Sequence, residues 1–411
     1  MVRKKLGKSV SMLLVFLLAF PLLTGCWDRL EIEERAVVLG VGIDKANPKE
    51  KTINEDVSHA KDENVEQLGL IKITVQIAVP GRIPLGPGEG GGGGGGGGGP
   101  KTVWVVDAIG STVSDAFNVL QQRVSQPLFF GHLRIIVLSE SMARRGIDNL
   151  NDYFRRNPEV RRMGWMIVCK GQASDIMNAS PQLERVPTLY SMTTMEQAVK
   201  MGRFPNDFLG IFWNAVSAKG KEGYLPYVVL MEDQNIQISG LAYFNSDKLA
   251  GVTDPYDITL YMGIMGSREA GGESYVKIPN SNDYVMVQSR SRKSNFKTRI
   301  VNGKPHVTIN VLIEANILSK SSSNTELDKN VAKLIERQIE KNAAKKYKDF
   351  IAKIQKSGSD IFGFGEHVRA IQPGYWNREV QSAEKWAQIF KETTVDVAVT
   401  IHIRRIGMKA T

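Results

Sequence analysis

"FFGHLRIIVLSESMARRGIDNLNDYFRRNPEVRRMGWMIVCKG", residues 129–171, alternates between two kinds of pattern. It begins with "FFGHLRIIVLSE" and ends with "MGWMIVCKG", and both contain the short apolar runs that are typical of buried strands. The charged stretch between them, "SMARRGIDNLNDYFRRNPEV", predicts two short helices. Strands that alternate with helices predict a mixed α/β domain, with this stretch at its centre.

The residues before this stretch predict further strands. Residues 36–44 are rich in valine, and "TVWVVDA" (102–108) has the same character. Apolar and polar residues alternate in "IKITVQIAV" (71–79), which predicts a half-buried strand. The residues of its polar face are Lys72, Thr74 and Gln76.

A glycine tract interrupts this half of the chain. Residues 80–100 contain ten consecutive glycines, Gly90 to Gly99. Such a tract has no side chains with which to build a core, and glycine loses the most backbone entropy on folding. We therefore predict a disordered surface loop at 80–100.

The second half of the chain repeats strand patterns around one long helix. "NIQISGLAYFNSDKLAG" (235–251) predicts a hairpin, and both 306–317 and the final "TVDVAVTIHIRRIG" (394–407) alternate as strands. Residues 326–355 hold apolar side chains at helical spacing, with lysine and glutamate on the opposite face, which predicts a long amphipathic helix. This half is therefore predicted to be α+β, and the whole chain to contain mixed and antiparallel sheets.

These patterns predict two domains joined by a linker. The α/β N-terminal domain spans 26–218, the linker 219–235 and the α+β C-terminal domain 236–411. Residues 1–25 predict an export signal, because Arg3, Lys4, Lys5 and Lys8 precede an apolar run. That run, from 10 to 23, is shorter than the roughly 20 residues that a membrane-spanning helix needs.

The order Leu23-Thr24-Gly25-Cys26 resembles the lipobox of bacterial lipoproteins. In those signals the cysteine sulfur receives a diacylglycerol, and cleavage leaves the cysteine as the first residue. The resemblance implies a lipoprotein signal peptide at 1–25 and lipidation at Cys26. Two acyl chains hold a protein stably, because each buried CH₂ contributes about 0.8 kcal/mol. The alternative is an ordinary signal peptide with a chance cysteine.

Composition fits a protein held near an anionic membrane surface. The 411-residue chain carries a formal net charge of +10, and removing the four cations of residues 1–25 leaves +6. No nucleic-acid motif accompanies this charge. The other cysteine, Cys169, lies in a strand-like run and is predicted to be a small buried apolar residue.

The sequence predicts no catalytic residue, no metal site and no cofactor. No two of the five histidines lie within five residues of each other, and none neighbours a cysteine. The tract before Lys101 lacks the Gly-Lys step of a phosphate loop, since Pro100 intervenes. "GVGIDK" (40–45) lacks the third glycine of a dinucleotide fingerprint.

Several segments, taken in order, resemble the Ger(x)C spore germination proteins. These are "GCWDRLEIEERAVVLGVGID" (25–44), "FFGHLRIIVLSESMARRGI" (129–147), "SGSDIFGFGEHVRAIQPGYW" (357–376), Trp386 and the ending "VDVAVTIHIRRIG" (395–407). The resemblance covers nearly all of the chain after residue 25. The glycine tract departs from the family pattern and is interpreted as a variable insertion.

The resemblance implies a non-enzymatic, lipid-anchored subunit of a nutrient germinant receptor. Its implied partners are two integral-membrane receptor subunits, of the family's A and B type, and membrane lipid through Cys26. The implied location is the outer face of the spore inner membrane. A second hypothesis is a lipid-anchored solute-binding protein that captures the germinant directly, and a third is a surface hydrolase, for which a catalytic constellation is missing.

Three groups of residues are predicted as contacts. Trp27 and Asp28 follow the lipid, and the indole suits either the membrane interface or a place in the folded domain. Phe364 and Trp376, with Phe362 and Tyr375, form an aromatic block that either packs locally or contacts a partner. The arginines at 155, 156, 161 and 162 form either a solvated face or a contact for lipid headgroups or an acidic partner.

Overall fold

The computed structural model describes most of the chain after residue 30. The described residues are 31–46, 69–79, 102–179, 181, 184, 186–267, 271–322, 327–406 and 409–410. The predicted signal peptide, Cys26, Trp27, Asp28 and the predicted loop 80–100 lie outside these residues.

The larger of the two sheets has nine strands, and its centre is parallel. The strands are β1 (Ala36–Lys45), β2 (Ile71–Ala78), β3 (Val103–Gly110), β4 (Leu128–Phe129), β5 (Ile135–Ser139), β6 (Trp165–Cys169), β7 (Tyr224–Leu230), β8 (Ile236–Asn245) and β9 (Lys248–Val252). They lie in the order β3-β2-β1-β5-β6-β7-β8-β9, with β4 beside β1. Strands β1, β5, β6 and β7 run parallel, and antiparallel strands flank them on both sides.

Helices cover both faces of this sheet. They are α1 (Val113–Gln121), α2 (Glu140–Arg145), α3 (Asp148–Arg156), α4 (Ala173–Asn178), α5 (Pro187–Lys200) and α6 (Leu209–Val216). Buried side chains of α1, α2, α3 and α6 pack in the core on one face. Those of α4 and α5 pack in a separate core on the other face. The α/β architecture predicted for this half is therefore confirmed.

The prediction that β2 is only half-buried is wrong. Thr74 and Gln76 are buried like their apolar neighbours, because α4 and α5 cover that face of the sheet. The Gln76 amide nitrogen donates to the carbonyl of Met177 (2.5 Å), and its oxygen accepts from the backbone N–H of Thr188 (3.4 Å). A polar side chain can be buried in this position because both ends of its amide find backbone partners.

The segment predicted as a linker, 219–235, is not a free connection, because it contains strand β7. Tyr227 and Val228 pair with β6 on one side, and the whole of β7 pairs with β8 on the other. The predicted hairpin β8–β9 is present but extends the larger sheet. The sequence did not reveal β7 because Pro226 lies within it, and proline is uncommon inside strands.

The smaller sheet carries the α+β part of the fold. Its strands are β10 (Glu273–Lys277), β11 (Tyr284–Val301), β12 (Lys304–Lys320), β13 (Thr394–Ile406) and β14 (Lys409–Ala410), in sequence order across the sheet. Only the β12–β13 pair is parallel among the described pairings of this sheet. Its helices are α7 (Pro255–Ile264), α8 (Lys329–Gln355), α9 (Phe364–Ile371) and α10 (Ala383–Glu392).

Helix α8 is the long amphipathic helix predicted at 326–355. It begins at Lys329 because the Asp328 side chain accepts from the N–H of Val331 (2.7 Å) and caps the first turn. Its buried face includes Ile335, Phe350 and Ile354. Among the residues that the structure describes, no helix is both long and apolar enough to cross a membrane.

Strand β13 is capped along part of its outer edge by α8. The backbone N–H of Ile401 donates to the Glu340 carboxylate (3.1 Å), and that of Ile403 donates to Glu336 (2.7 Å). Strand β14 pairs only with Arg405 and Ile406. Helix side chains therefore occupy donors that an edge strand would otherwise leave open.

Replacing Gln76 tests the burial of the polar face of β2. Gln76→Ala leaves the Met177 carbonyl and the Thr188 N–H without this partner, so we expect the free energy of unfolding to fall by about 2–4 kcal/mol. Lys72→Ala is the control on the same face, because Lys72 is only half-buried and its expected effect is within about 0.5 kcal/mol. Urea unfolding measures both, and equal effects would contradict the described packing.

Candidate functional site

The two sheets meet in one hydrophobic core. Tyr224, Leu241 and Tyr243 of the larger sheet lie in the same buried cluster as Val307 and Ile309 of the smaller one. The clustered side chains between them come from α7, α8, α9 and α10. We call this region, with the connector 217–223 and the loop 356–363, the junction.

Asp360 is the polar centre of the junction. It is fully buried, and one carboxylate oxygen accepts from the backbone N–H of Gly363 (2.9 Å). The other oxygen accepts from the N–H of Gly365 (2.8 Å) and from the indole Nε1 of Trp386 (3.0 Å). Burial raises the pKa of Asp360 to about 6, although these three donors oppose the rise.

Backbone groups tie the two halves together at the same place. The N–H of Glu222 donates to the carbonyl of Asp360 (2.9 Å), and the N–H of Glu366 donates to the carbonyl of Gly220 (3.0 Å). The Glu366 carboxylate accepts from the N–H of Gly220 (2.8 Å). A Cβ on Gly365 would lie 2.4 Å from the Trp386 ring and 2.6 Å from the Gly220 carbonyl, so only glycine permits this approach.

Two further acids lie close to this centre. Burial raises the pKa of Glu222 to about 7, and repulsion from Asp360 and Glu384 adds to the rise. Asp207 is buried beside the junction, and desolvation raises its pKa well above the usual range. One of its carboxylate oxygens has no hydrogen-bond partner among the described residues. The protonated form of these carboxyl groups is favoured because burial disfavours the charged form.

The aromatic block packs inside the protein. Phe364 is fully buried and stacks on Phe362, with ring centroids 5.2 Å apart. Trp376 is buried against Trp386, at 5.8 Å between centroids. Phe364 and Trp376 therefore have no exposed surface for a membrane or partner contact in this structure, and local packing accounts for both.

The other predicted contact residues divide into two groups. Cys26, Trp27 and Asp28 lie outside the described residues, so their roles stay predictions. Four arginines of α3 and the following loop are exposed, at residues 155, 156, 161 and 162. Within the described residues, only Arg156 of these four forms an ion pair, with Asp152 (2.7 Å).

The described residues give little support for nucleophilic or metal chemistry. Cys169 is fully buried, and desolvation raises its thiol pKa far above the usual range, which disfavours the reactive thiolate. Burial lowers the pKa of His132 and of His367. No group of three or more metal-ligating side chains comes together within the described part of the chain.

A cleft opens beside the junction, between α5, β8 and α7. Its volume is about 740 Å³, which is within the range of small-molecule sites. Both apolar and polar side chains line it. They include Tyr190, Thr194, Gln197, Arg203, Ile238 and Thr259.

Sequence reasoning missed the buried acids of the junction. Asp360 stands three and five residues before Gly363 and Gly365, which is a spacing that lets one carboxylate accept two backbone N–H groups. That local signal was available in "SGSDIFGFGE". The contacts of Glu222 and Asp207 depend on residues far along the chain, and no local signal indicated them.

Comparisons with known proteins cover nearly all of the described chain. Residues 28–230 match the family model "Spore germination protein N-terminal domain", and residues 239–407 match "Spore germination B3/ GerAC like, C-terminal". The chain is 27% identical to YfkR of Bacillus subtilis (strain 168), over 99% of this chain and 98% of YfkR. It is 23% identical to "Spore germination protein KC" of the same strain, over 96% of this chain and 95% of that protein.

One solved structure shares the fold. The crystal structure of the GerBC protein superposes with a TM-score of 0.51 at 18% sequence identity. The match covers 89% of this chain and 96% of that one. The α/β and α+β halves are therefore a fold that this relative also has.

The raised pKa of Glu222 predicts how stability depends on pH. The folded state holds a proton that the unfolded state releases near pH 4.5, so the free energy of unfolding falls as pH rises from about 4.5 to about 7. Glu222→Gln should remove about 1–3 kcal/mol of that fall. Urea unfolding at several pH values measures it, with exposed Glu379→Gln as the control that keeps the wild-type slope. Parallel profiles for both variants and the wild type would contradict the assignment.

Proposed function

Because the chain belongs to the family of spore germination proteins that these two domains define, we propose that it is a lipid-anchored, non-enzymatic subunit of a nutrient germinant receptor. In this proposal Cys26 carries the lipid and holds the body on the outer face of the spore inner membrane. Integral-membrane receptor subunits are its partners. Its work is assembly and signalling, not chemistry on a substrate.

The observation that carries this proposal is the extent of the family match. The matched region begins at Asp28, two residues after the predicted lipidation site, and continues to residue 407. A membrane anchor placed there raises the effective concentration of the body near membrane partners.

The junction supports a role in coupling. Tyr224 and Leu241 of one half share a core with Val307 of the other, and backbone bonds join Gly220 and Glu222 to the loop at Asp360. Domains joined by a large apolar contact move as one body more readily than domains joined by a flexible linker. A partner that moves one half would therefore move the other.

The cleft supports a second candidate function, direct capture of the germinant. An open cleft of about 740 Å³ with Gln197, Thr194 and Arg203 on its wall could bind a small polar nutrient. In that case the protein would be a lipid-anchored solute-binding protein. The two candidates differ in whether the isolated protein binds a nutrient.

Replacing Cys26 tests the anchoring proposal. Cys26→Ala removes the only atom that can accept the lipid, so we expect the protein to leave the membrane fraction and nutrient-triggered germination to be lost or strongly reduced. Cys169→Ala is the matched control, because that thiol is buried and should not affect attachment. Fractionation, mass spectrometry of the N-terminal peptide and a germination assay give the result, and normal germination with soluble protein would refute the proposal.

Filling the cleft tests direct capture. Gln197→Trp puts a large ring on the cleft wall, and we expect it to weaken nutrient binding at least tenfold if the cleft is the binding site. Lys200→Trp is the control, since exposed Lys200 lies on the same helix outside the cleft lining. Titration calorimetry with amino acids and sugars measures binding, and absence of binding to the unmodified protein would eliminate this candidate.

A further inference from the structure

The parallel centre of the larger sheet places several strand starts at one edge. Strands β1, β5 and β6 run in the same direction, so Ala36, Ile135 and Trp165 all lie toward this edge. We call it the amino edge, and the opposite one the carboxyl edge. The chain enters the fold at the amino edge, where the N–H of Ala36 donates to the carbonyl of Pro127 (3.0 Å).

The proposed lipid must lie close to the amino edge. Only residues 27–30 separate Cys26 from Glu31, the first described residue. An extended chain spans at most about 3.5 Å per residue, so Glu31 lies within roughly 18 Å of the acylated cysteine. The Gln126 amide donates to the carbonyl of Glu33 (2.8 Å), which fastens the entering segment to this edge.

The exposed arginines lie at the same edge because the loop that follows α3 leads directly into the start of β6. At that point the N–H of Trp165 donates to the carbonyl of Arg134, just before the start of β5 (2.8 Å). Arg155 and Arg156 are in the last turn of α3, and Arg161 and Arg162 stand four and three residues before Trp165. The following loop is fixed there, since the N–H of Gly210 donates to the carbonyl of Arg162 (2.9 Å).

Exposed apolar side chains accompany these arginines. Met163 is 67% exposed, in the same loop, and Ile211 is 41% exposed in the first turn of α6. Ile32 is 51% exposed in the entering segment. Trp104 is 44% exposed near the start of β3, paired across β2 with the start of β1. Tryptophan with arginine is the combination found where proteins meet lipid headgroups.

The two acids nearest in sequence to the arginines of the loop already have partners. Asp152 pairs with Arg156, and the Glu159 carboxylate accepts from the N–H of Phe130 (2.8 Å). Further acids lie on the entering segment, at residues 31, 33 and 34. Arg155, Arg161 and Arg162 form no ion pair with any described residue, so their charge is available to an anionic surface.

We propose that the amino edge is the membrane-facing surface of the protein, with Arg155, Arg161 and Arg162 against anionic phospholipid headgroups and Met163 and Trp104 at the interface. This inference rests on the proposed lipid anchor, and it adds the orientation of the body on the bilayer. Several weak contacts suffice, because the anchor keeps them at high effective concentration.

A pair of methionines at opposite edges provides the test. Met163→Cys and Met231→Cys place single reactive thiols at the amino edge and at the carboxyl end of β7, where Met231 is 42% exposed. Cys169 is buried and the acylated Cys26 is blocked, so only the introduced thiol takes an environment-sensitive fluorophore. The intact lipid-modified protein is reconstituted in two kinds of vesicle, one that contains phosphatidylglycerol and one of phosphatidylcholine alone. Both kinds carry spin-labelled lipid, which quenches a fluorophore that lies close to the bilayer.

We expect lipid quenching at position 163 to be at least threefold stronger than at 231 in anionic vesicles, and weaker in phosphatidylcholine. Arg161→Glu/Arg162→Glu should remove that difference, whereas the control Lys45→Glu/Lys170→Glu, exposed at the ends of β1 and β6 on the carboxyl edge, should keep it. Equal quenching at both positions, or contact that appears only with an acidic protein partner, would overturn the inference and leave the anchor intact. Protein that does not float with either vesicle would overturn the anchor proposal as well.

Discussion

The burial of one carboxylate between the two halves is the constraint on which the rest of the fold depends. Asp360 is fully buried, and it is tolerated there because two backbone N–H groups and one indole donate to it. These donors fix the loop before α9 and the position of Trp386 on α10. The same loop then offers its backbone to Gly220 and Glu222, so the orientation of the two sheets follows from how this one charge is satisfied.

The architecture could be predicted from the sequence where the signal was local. The run at 129–171 contains both strands and both helices in the predicted order. Its short apolar runs, separated by charged stretches, are compatible with few other arrangements of secondary structure. Helix α8 could be predicted equally well, because apolar residues recur at helical spacing over many of its turns. The family resemblance was also local, carried by a few short segments, and the comparisons bear it out.

What the sequence could not supply were contacts between distant segments. The alternation of residues in β2 correctly predicted which side chains share a polar face. It could not predict that α4 and α5 cover this face, or that Gln76 finds its hydrogen-bond partners in their backbone. Strand β7 depends on β6 and β8 for its pairing. The proline within it, Pro226, made a strand at this position difficult to predict from the sequence. The exposed or buried state of Phe364 and Trp376 likewise depends on helices that lie elsewhere in the chain, so the aromatic pattern alone left both alternatives open.

The carboxylates that cap β13 have a consequence if the proposed lipid anchor concentrates the protein on a membrane. Many copies crowded side by side encounter one another's sheet edges often, and an open edge invites strand exchange between neighbours. Glu336 and Glu340 already occupy the donors of Ile401 and Ile403, and they add negative charge along that margin. At these two donors the strand is therefore closed to pairing with a strand of a second copy.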